Sequence, residues 1–264
     1  MSIKSLLASV PLVRRLFILL LRATARDVSI KNPWTSDQLT LNTFKHKGYW
    51  YFGKQRERLT MERFRQQIPP SATVLEVGGH IGFISQYFAK LVGTQGKVIV
   101  FEPGSNNLPY IERNTAKIPQ VRIERQAVSD RIGEAIFYED DITGQNNSLL
   151  DDYRGAVGVA HSHKMEIIKK ARTVRLTTLD AYIEANALKV DFIKIDIEGN
   201  ELNALMGAEK SLKHIAALMI EVTEHQEEVA ALLRRSGFTL SDDKGKILDS
   251  LGASFGGNVF AVRC

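Results

Sequence analysis

The sequence is poor in the features that would make it a secreted scaffold, a membrane-spanning protein or a nucleic-acid enzyme. One cysteine, Cys264, stands among 264 residues, which excludes an internal disulfide framework and a cysteine-based zinc site and fits a reducing, cytoplasmic setting. Near the N-terminus the longest uninterrupted apolar run is Leu16 to Leu21, far short of the ~20 residues a bilayer span requires. Ala23 and Ala25 offer the small-residue pattern of a signal-peptide cleavage site, but Arg22 interrupts the apolar region that should precede it. The folded part also lacks excess charge of either sign. The formal net charge is +5, and residues 1–31 account for all of it, with Lys4, Arg14, Arg15, Arg22, Arg26 and Lys31 against Asp27. The remaining 29 basic and 29 acidic side chains cancel. A nucleic-acid enzyme carries its basic surface on the folded domain, where it neutralises phosphates, so no nucleic-acid partner is expected.

No internal repeat or low-complexity tract is visible, and hydrophobic patterning divides the chain in two. Residues 1–70 read as a cap. Within it, residues 3–26 form a basic amphipathic helix suited either to peripheral contact with a membrane or a partner or to packing back on the domain. "RERLTMERFRQQI" has helical spacing at Leu59, Phe64 and Ile68, and Pro69–Pro70 end that helix. Residues 71–264 then alternate. Strands are predicted at 73–77, 97–101, 121–124, 173–176, 190–195 and 217–222. Helices are predicted at 82–91, 105–116, 178–186, 200–212 and 224–236, with a hairpin-like pair at 126–129 and 134–138. "VIVF", "FIKI" and "ALMIEV" are continuous apolar runs, as expected where both faces of a parallel sheet are buried. The alternation reads as a doubly wound α/β sheet. The tail, "FTLS", "ILDS" and "NVFAVRC", suggests a closing hairpin and hence one antiparallel strand near the end.

Ligands of such sheets bind outside the carboxyl ends of the strands. The first strand runs into a glycine turn, "TVLEVGGHIGFIS". With Gly78 as its first position, a dinucleotide fingerprint needs glycine at the third and sixth, where His80 and Phe83 stand, and a phosphate loop needs a lysine that is missing. What remains is an acid, Glu76, two residues before Gly78, with Gly82 closing the turn. "FEP" places Glu102 where a carboxylate accepts hydrogen bonds from both ribose hydroxyls. A positively charged nucleoside without phosphate satisfies these features, and S-adenosylmethionine is that molecule.

"VLEVGGHIGFIS", "VIVFEPGSNNLPYIERN", "QAVSD", "RLTTLDAYI", "VDFIKIDIEGNELNALMGAEKSL" and "LMIEV" resemble, in order and spacing, the FkbM-type methyltransferase family over about residues 72–240, "KIDIEG" being the most specific segment. The resemblance implies a Rossmann-like class I methyltransferase fold, a seven-stranded mostly parallel sheet with one reversed strand and helices on both faces. It also implies O-methylation of natural products or glycans with S-adenosylmethionine. Two positions depart from the family: Glu76 replaces its usual Asp, and Gly79–His80 replace a small residue followed by Asn.

For the cofactor the expected residues are Glu76, Gly78, Gly79, His80, Gly82 and Glu102. Ala127 and Val128 are expected to wall the adenine, and Asp130 either contacts its amino group or serves the turn before Gly133. Methyl transfer is an in-line displacement in which the protein positions the acceptor and excludes water, and a base helps when the acceptor is a neutral hydroxyl. Asp196 and Glu198, at the end of the fourth strand, are the expected catalytic pair, one of them orienting the acceptor or taking its proton. The competing reading makes Glu198 a cap of the following helix. His225, after the fifth strand beside Glu221 and Glu224, has a pKa suited to a base. Asp180 reads as structural. In the long irregular segment before residue 173, Asn146, Asn147 and Ser148 are candidate acceptor contacts, while His161 and His163 alone make too small a set for a metal, and no metal is expected. The acceptor is expected to be a hydroxyl of a glycan, lipid-linked sugar or secondary metabolite. N-methylation, a noncatalytic cofactor-binding partner subunit and a nicotinamide oxidoreductase are the alternatives, the last opposed by His80 and Phe83.

Overall fold

The computed structural model describes residues 11–151, 169–252 and 254–263; His161, His163 and Cys264, and the first part of the predicted N-terminal helix, lie outside them. The chain enters through helix α1 (Pro11–Ala23), the antiparallel pair β1 (Asp27–Lys31) and β2 (Gln38–Asn42), α2 (Lys47–Phe52) and α3 (Arg58–Gln67). An alternating series follows: β3 (Thr73–Val77), α4 (Phe83–Val92), β4 (Lys97–Phe101), α5 (Leu108–Thr115) and β5 (Val121–Glu124). Three strands, β6 (Ala127–Val128), β7 (Gly133–Asp140) and β8 (Lys169–Thr177), precede α6 (Leu179–Ala185), β9 (Phe192–Ile195), α7 (Glu201–Met206), β10 (Ala217–Val222), α8 (Gln226–Arg235), β11 (Phe238–Ser241) and β12 (Gly257–Arg263).

The main sheet has seven strands in the order β11-β12-β10-β9-β3-β4-β5. Every pairing from β5 to β10 is parallel, and β12 runs antiparallel to both β10 and β11. Alternation along each strand feeds two cores, as a period of two residues demands. Leu75, Val77, Ile99, Phe101, Ile193, Ile195, Leu218 and Ile220 pack on one face. Val74, Val98, Val100, Phe192, Ala217, Met219 and Phe260 pack on the other, together with Leu39, Leu41, Met61, Phe64 and Ile68 from the N-terminal segment. The aromatic rings of Phe64, Phe88, Phe192 and Phe260 contact one another edge-on or tilted at centroid distances of 4.8–6.2 Å, within the range where such pairs attract.

Three local expectations are corrected. Residues 126–129 and 134–138 do not form a hairpin with each other. β8 lies between them, parallel to β6 and antiparallel to β7, in a separate three-stranded sheet of order β6-β8-β7. β7 pairs with β8 over eight residues, from Gly133 opposite Leu176 to Asp140 opposite Lys169, whereas two-residue β6 has too few ladder bonds to compete for it. The helix predicted at 200–212 stops at Met206 before Gly207, a poor helix former, and resumes only as a short 3-10 turn at Ser211–Lys213. "ILDS" supplies one isolated bridge, Ile247 to Ser241, and no strand.

Candidate active site

The strand order reverses direction between β3 and β9, and a crevice opens there at the carboxyl ends. Register decides which side chains reach it. Glu76 and Lys194 are direct partners across the β3–β9 pairing. Lys194 is likewise opposite Met219 on β10, and Glu221, two residues further, is opposite Asn258 on β12. Two-residue periodicity therefore puts Glu76, Lys194 and Glu221 on one face. All three line a cavity of about 350 Å³, the size of a small-molecule site.

On the β3–β4 side the wall is a glycine turn and two buried carboxyls. Gly78 has φ +89°, and a Cβ there would lie 1.9 Å from the Asp196 carbonyl oxygen, so only glycine lets the ends of β3 and β9 close on each other. Gly79 serves packing instead: a Cβ would meet Val100 at 2.3 Å and Ile111 at 2.7 Å. Glu76 Oε2 accepts a 2.6 Å hydrogen bond from the Ser85 hydroxyl, while its buried Oε1 accepts none among the described residues. Burial pushes the Glu76 carboxyl up to about 7, with the Lys194 charge opposing. Glu102 is also pushed to about 7 by burial, although its oxygens accept from the backbone N–H groups of His80 (2.7 Å) and Gly104 (2.8 Å).

His80 occupies the left-handed region at φ 47° and its ring, at the cavity's border, bonds to the N-terminal segment and to the loop after β7. Its Nε2 lies 3.1 Å from the Thr143 carbonyl oxygen, which can only accept, so Nε2 carries the hydrogen. Nδ1 consequently accepts from the Tyr49 hydroxyl at 2.8 Å. Burial lowers the imidazole to about 4, and the ring is neutral at physiological pH. His80 thus joins the glycine turn to α2 and to the 140–149 loop. That loop is built around Asp140, which accepts from the Ile142 and Thr143 amides and the Thr143 hydroxyl. At its far end the Ser148 hydroxyl donates to the Glu198 carbonyl at 2.7 Å.

The β9–β10 side concentrates charge. Lys194, buried, donates to the Gly78 carbonyl at 2.9 Å and pairs with Asp196 at 3.0 Å. Burial lowers its pKa, but the Asp196 and Glu76 charges outweigh this and raise it. Asp196, Glu198 and Glu221 bring one carboxylate oxygen each within 4.8 Å of one another, close enough for like charges to compete for a proton. Glu221 is pushed far up, first by the Asp196 charge and then by burial. Asp196 is raised by burial but held below its ordinary value by Lys194 and by a hydrogen bond from Glu221. The two carboxyls thus titrate as a pair, with Glu221 the partner favoured to hold a proton and Asp196 the one favoured to hold the charge. Above them stand Tyr49, Arg56 and Glu57, the guanidinium lying 4.4 Å over the tyrosine ring.

Among the residues expected from sequence, Glu76, Gly78, Gly79, His80, Glu102, Ala127, Val128, Asp196 and Glu198 all border the cavity. Gly82, Asp130 and His225 do not. Gly82 ends the turn at φ +82° facing Ile111 and Thr115. Asp130 is exposed and paired with Arg131 at 3.2 Å. His225 adopts a left-handed conformation before α8, which turns its exposed side chain toward Glu228 at 3.7 Å. At the start of α7, Glu201 accepts the Gly199 amide. Asp180 ties α6 to the following chain by accepting from Lys210 and Ser211. Asn147 accepts from the Asp140 amide within the loop, and Ser148 donates to the Glu198 carbonyl beyond it. Tyr49, Arg56, Glu57 and Asn258 were not legible, because only tertiary packing carries those chain segments to the crevice.

The sheet order with its single reversed strand, and a crevice with an acid at the end of each of the first two strands, define a class I S-adenosylmethionine-dependent methyltransferase. The Methyltransferase FkbM domain matches residues 76–248. The chain belongs to the FkbM methyltransferase family. It is 26% identical over 230 residues to the AMB antimetabolite synthetase AmbE of Pseudomonas aeruginosa, covering 74% of this chain but only 11% of that much longer protein. To methyltransferase sdnD of Sordaria araneosa it is 21% identical over 207 residues, 68% of this chain and 78% of the relative. Among solved structures, the methyltransferase FkbM of Methylobacillus flagellatus aligns with a TM-score of 0.44 at 13% identity, covering 95% of this chain and 60% of that one.

Proposed function

We propose that the chain methylates a hydroxyl group of a glycan, lipid-linked sugar or secondary metabolite, with Asp196 receiving the acceptor's proton. The observation that carries this is the Asp196–Glu221 pair. A carboxylate kept ionised by Lys194 and by a protonated neighbour sits in the cavity wall, where a hydroxyl acceptor needs a base. An amine acceptor, once unprotonated, carries its own lone pair and has less use for one.

The residues fit the cofactor. Glu76 Oε1, buried and without a donor among the described residues, would receive a hydrogen bond from the cationic amino-acid end. A buried acceptor left unpaired costs ~1–3 kcal/mol, so such a partner is favoured. Glu102 would hold the ribose hydroxyls chiefly through Oε2, which keeps an acceptor site beyond the one used by His80, whereas Oε1 already accepts from Gly104 and from the Asn107 amide at 3.3 Å. Ala127 and Val128 would wall the base. When bound, S-adenosylmethionine supplies an electrophilic methyl group on a positively charged sulfur. Asp196 orients the acceptor hydroxyl and takes its proton as the new carbon–oxygen bond forms, Lys194 fixes the Asp196 carboxylate, and the 140–149 loop excludes water.

Calorimetry with S-adenosylhomocysteine, followed by transfer of labelled methyl to acceptors in an extract from cells lacking the protein, tests the proposal. Binding together with hydroxyl-linked label supports it. Binding without transfer to any acceptor would favour a noncatalytic partner subunit, and label on nitrogen would overturn the O-methylation.

A further inference from the structure

The described part of α1 carries two apolar stripes. Phe17, Ile18 and Leu21, at i,i+3 and i,i+4 spacing, are half-buried. Leu16, Leu19 and Leu20 form the second stripe and are 58%, 53% and 64% exposed. Arg15 and Arg22 lie one turn to either side of Leu19 and are exposed, as are Arg26 and Lys31 just beyond the helix. Residues 1–31 hold the whole net charge of +5, while the rest of the chain is balanced. The helix is also fastened to the fold: the Arg26 amide donates to the Thr43 hydroxyl at 3.1 Å and the Thr43 amide to the Arg26 carbonyl at 2.9 Å, so a ligand held by α1 is held to the β1–β2 pair.

We propose that α1 docks the protein on an anionic phospholipid surface, its Leu16, Leu19 and Leu20 entering the acyl boundary while Arg15, Arg22 and Arg26 meet lipid phosphates. Charge complementarity selects this occupant. Leucines beside arginines match an interface that is apolar below and negative above, whereas a second copy of the chain would bring the same positive segment against itself. At 13 residues and ~1.5 Å per residue the helix is too short to span a bilayer and lies in its surface. Docking concerns where the enzyme works and stands apart from the identity of its acceptor.

The test uses the full chain and sedimentation with vesicles of phosphatidylcholine alone or mixed with phosphatidylglycerol. We expect the mixed vesicles to bind at least tenfold more protein than the neutral ones, with the excess lost in high salt. The triple variant L16E/L19E/L20E and the pair R15E/R22E should each abolish that excess while keeping the circular dichroism and the S-adenosylhomocysteine affinity of the parent. Equal binding to both vesicle types, or retention by both variants, would overturn the proposal. So would light scattering that shows a dimer dissociated by the triple substitution, since the face would then belong to a second copy.

Discussion

The two sides of the crevice solve opposite electrostatic problems. On the β3–β4 side, Glu76 and Glu102 are deeply buried and drift toward neutrality, both pushed to about 7 by burial although the Lys194 charge opposes it. On the β9–β10 side, Lys194, Asp196 and Glu221 keep formal charge by sharing it, one ammonium and one proton serving two carboxyls. The first arrangement costs little while empty and becomes favourable when a cationic ligand ionises it. The second is charged in advance, as a base must be. Substitutions on the two sides should therefore fail differently.

The largest effect is expected from Asp196→Asn. It should reduce kcat at least ~100-fold, the usual scale for a lost base, with S-adenosylhomocysteine affinity changed less than threefold; intact transfer would remove Asp196 from the mechanism and leave the comparison without its charged half. Next is Gly78→Ala, where a methyl group 1.9 Å from a backbone oxygen and a left-handed φ together should cost ~3 kcal/mol or more, read as a lowered urea midpoint. Glu76→Gln keeps the shape but not the charge, and should weaken S-adenosylmethionine ~10-fold with kcat at saturation nearly unchanged. In the parent the same carboxyls set a pH dependence. Below about 7 they hold protons that a cationic ligand must displace, so affinity should rise with pH up to about 7 and level off above it; titration calorimetry at several pH values would show a flat profile if the pocket were already ionised. Tyr49→Phe leaves His80 Nδ1 without its donor and should cost ~1–2 kcal/mol of stability. Smallest is His225→Ala, which should leave activity and stability within ~0.5 kcal/mol, as for other solvated positions.

The sheet was legible because each buried strand is an uninterrupted apolar run with a turn signal on either side, and "VGGHIG" and "KIDIEG" mark the two strand ends that meet at the crevice. The small sheet was not, because β6 is two residues long and the residues it pairs with lie 49 positions away, on the far side of the loop that β7 leads into. Glu76 and Glu102 could be singled out by their place at strand ends. The orphaned oxygen of Glu76 and the proton shared by Asp196 and Glu221 depend on burial and on sub-ångström placement, which no spacing encodes. His225 illustrates the converse: a residue at the right end of the right strand is turned outward by a single left-handed backbone conformation. His80, the position that departs most from the family pattern, bonds through its ring to the N-terminal segment and the 140–149 loop while bordering the cavity, a junction that no spacing announces.

The 140–149 loop is bonded at one end to His80, on the turn that would carry the cofactor, and at the other to Glu198, beside the place proposed for the acceptor. A segment fastened at both points cannot yield at one without loosening the other. The enzyme's two KM values, for methyl donor and for acceptor, should accordingly move together when the loop is weakened, and kinetic order of addition becomes a property of those few hydrogen bonds.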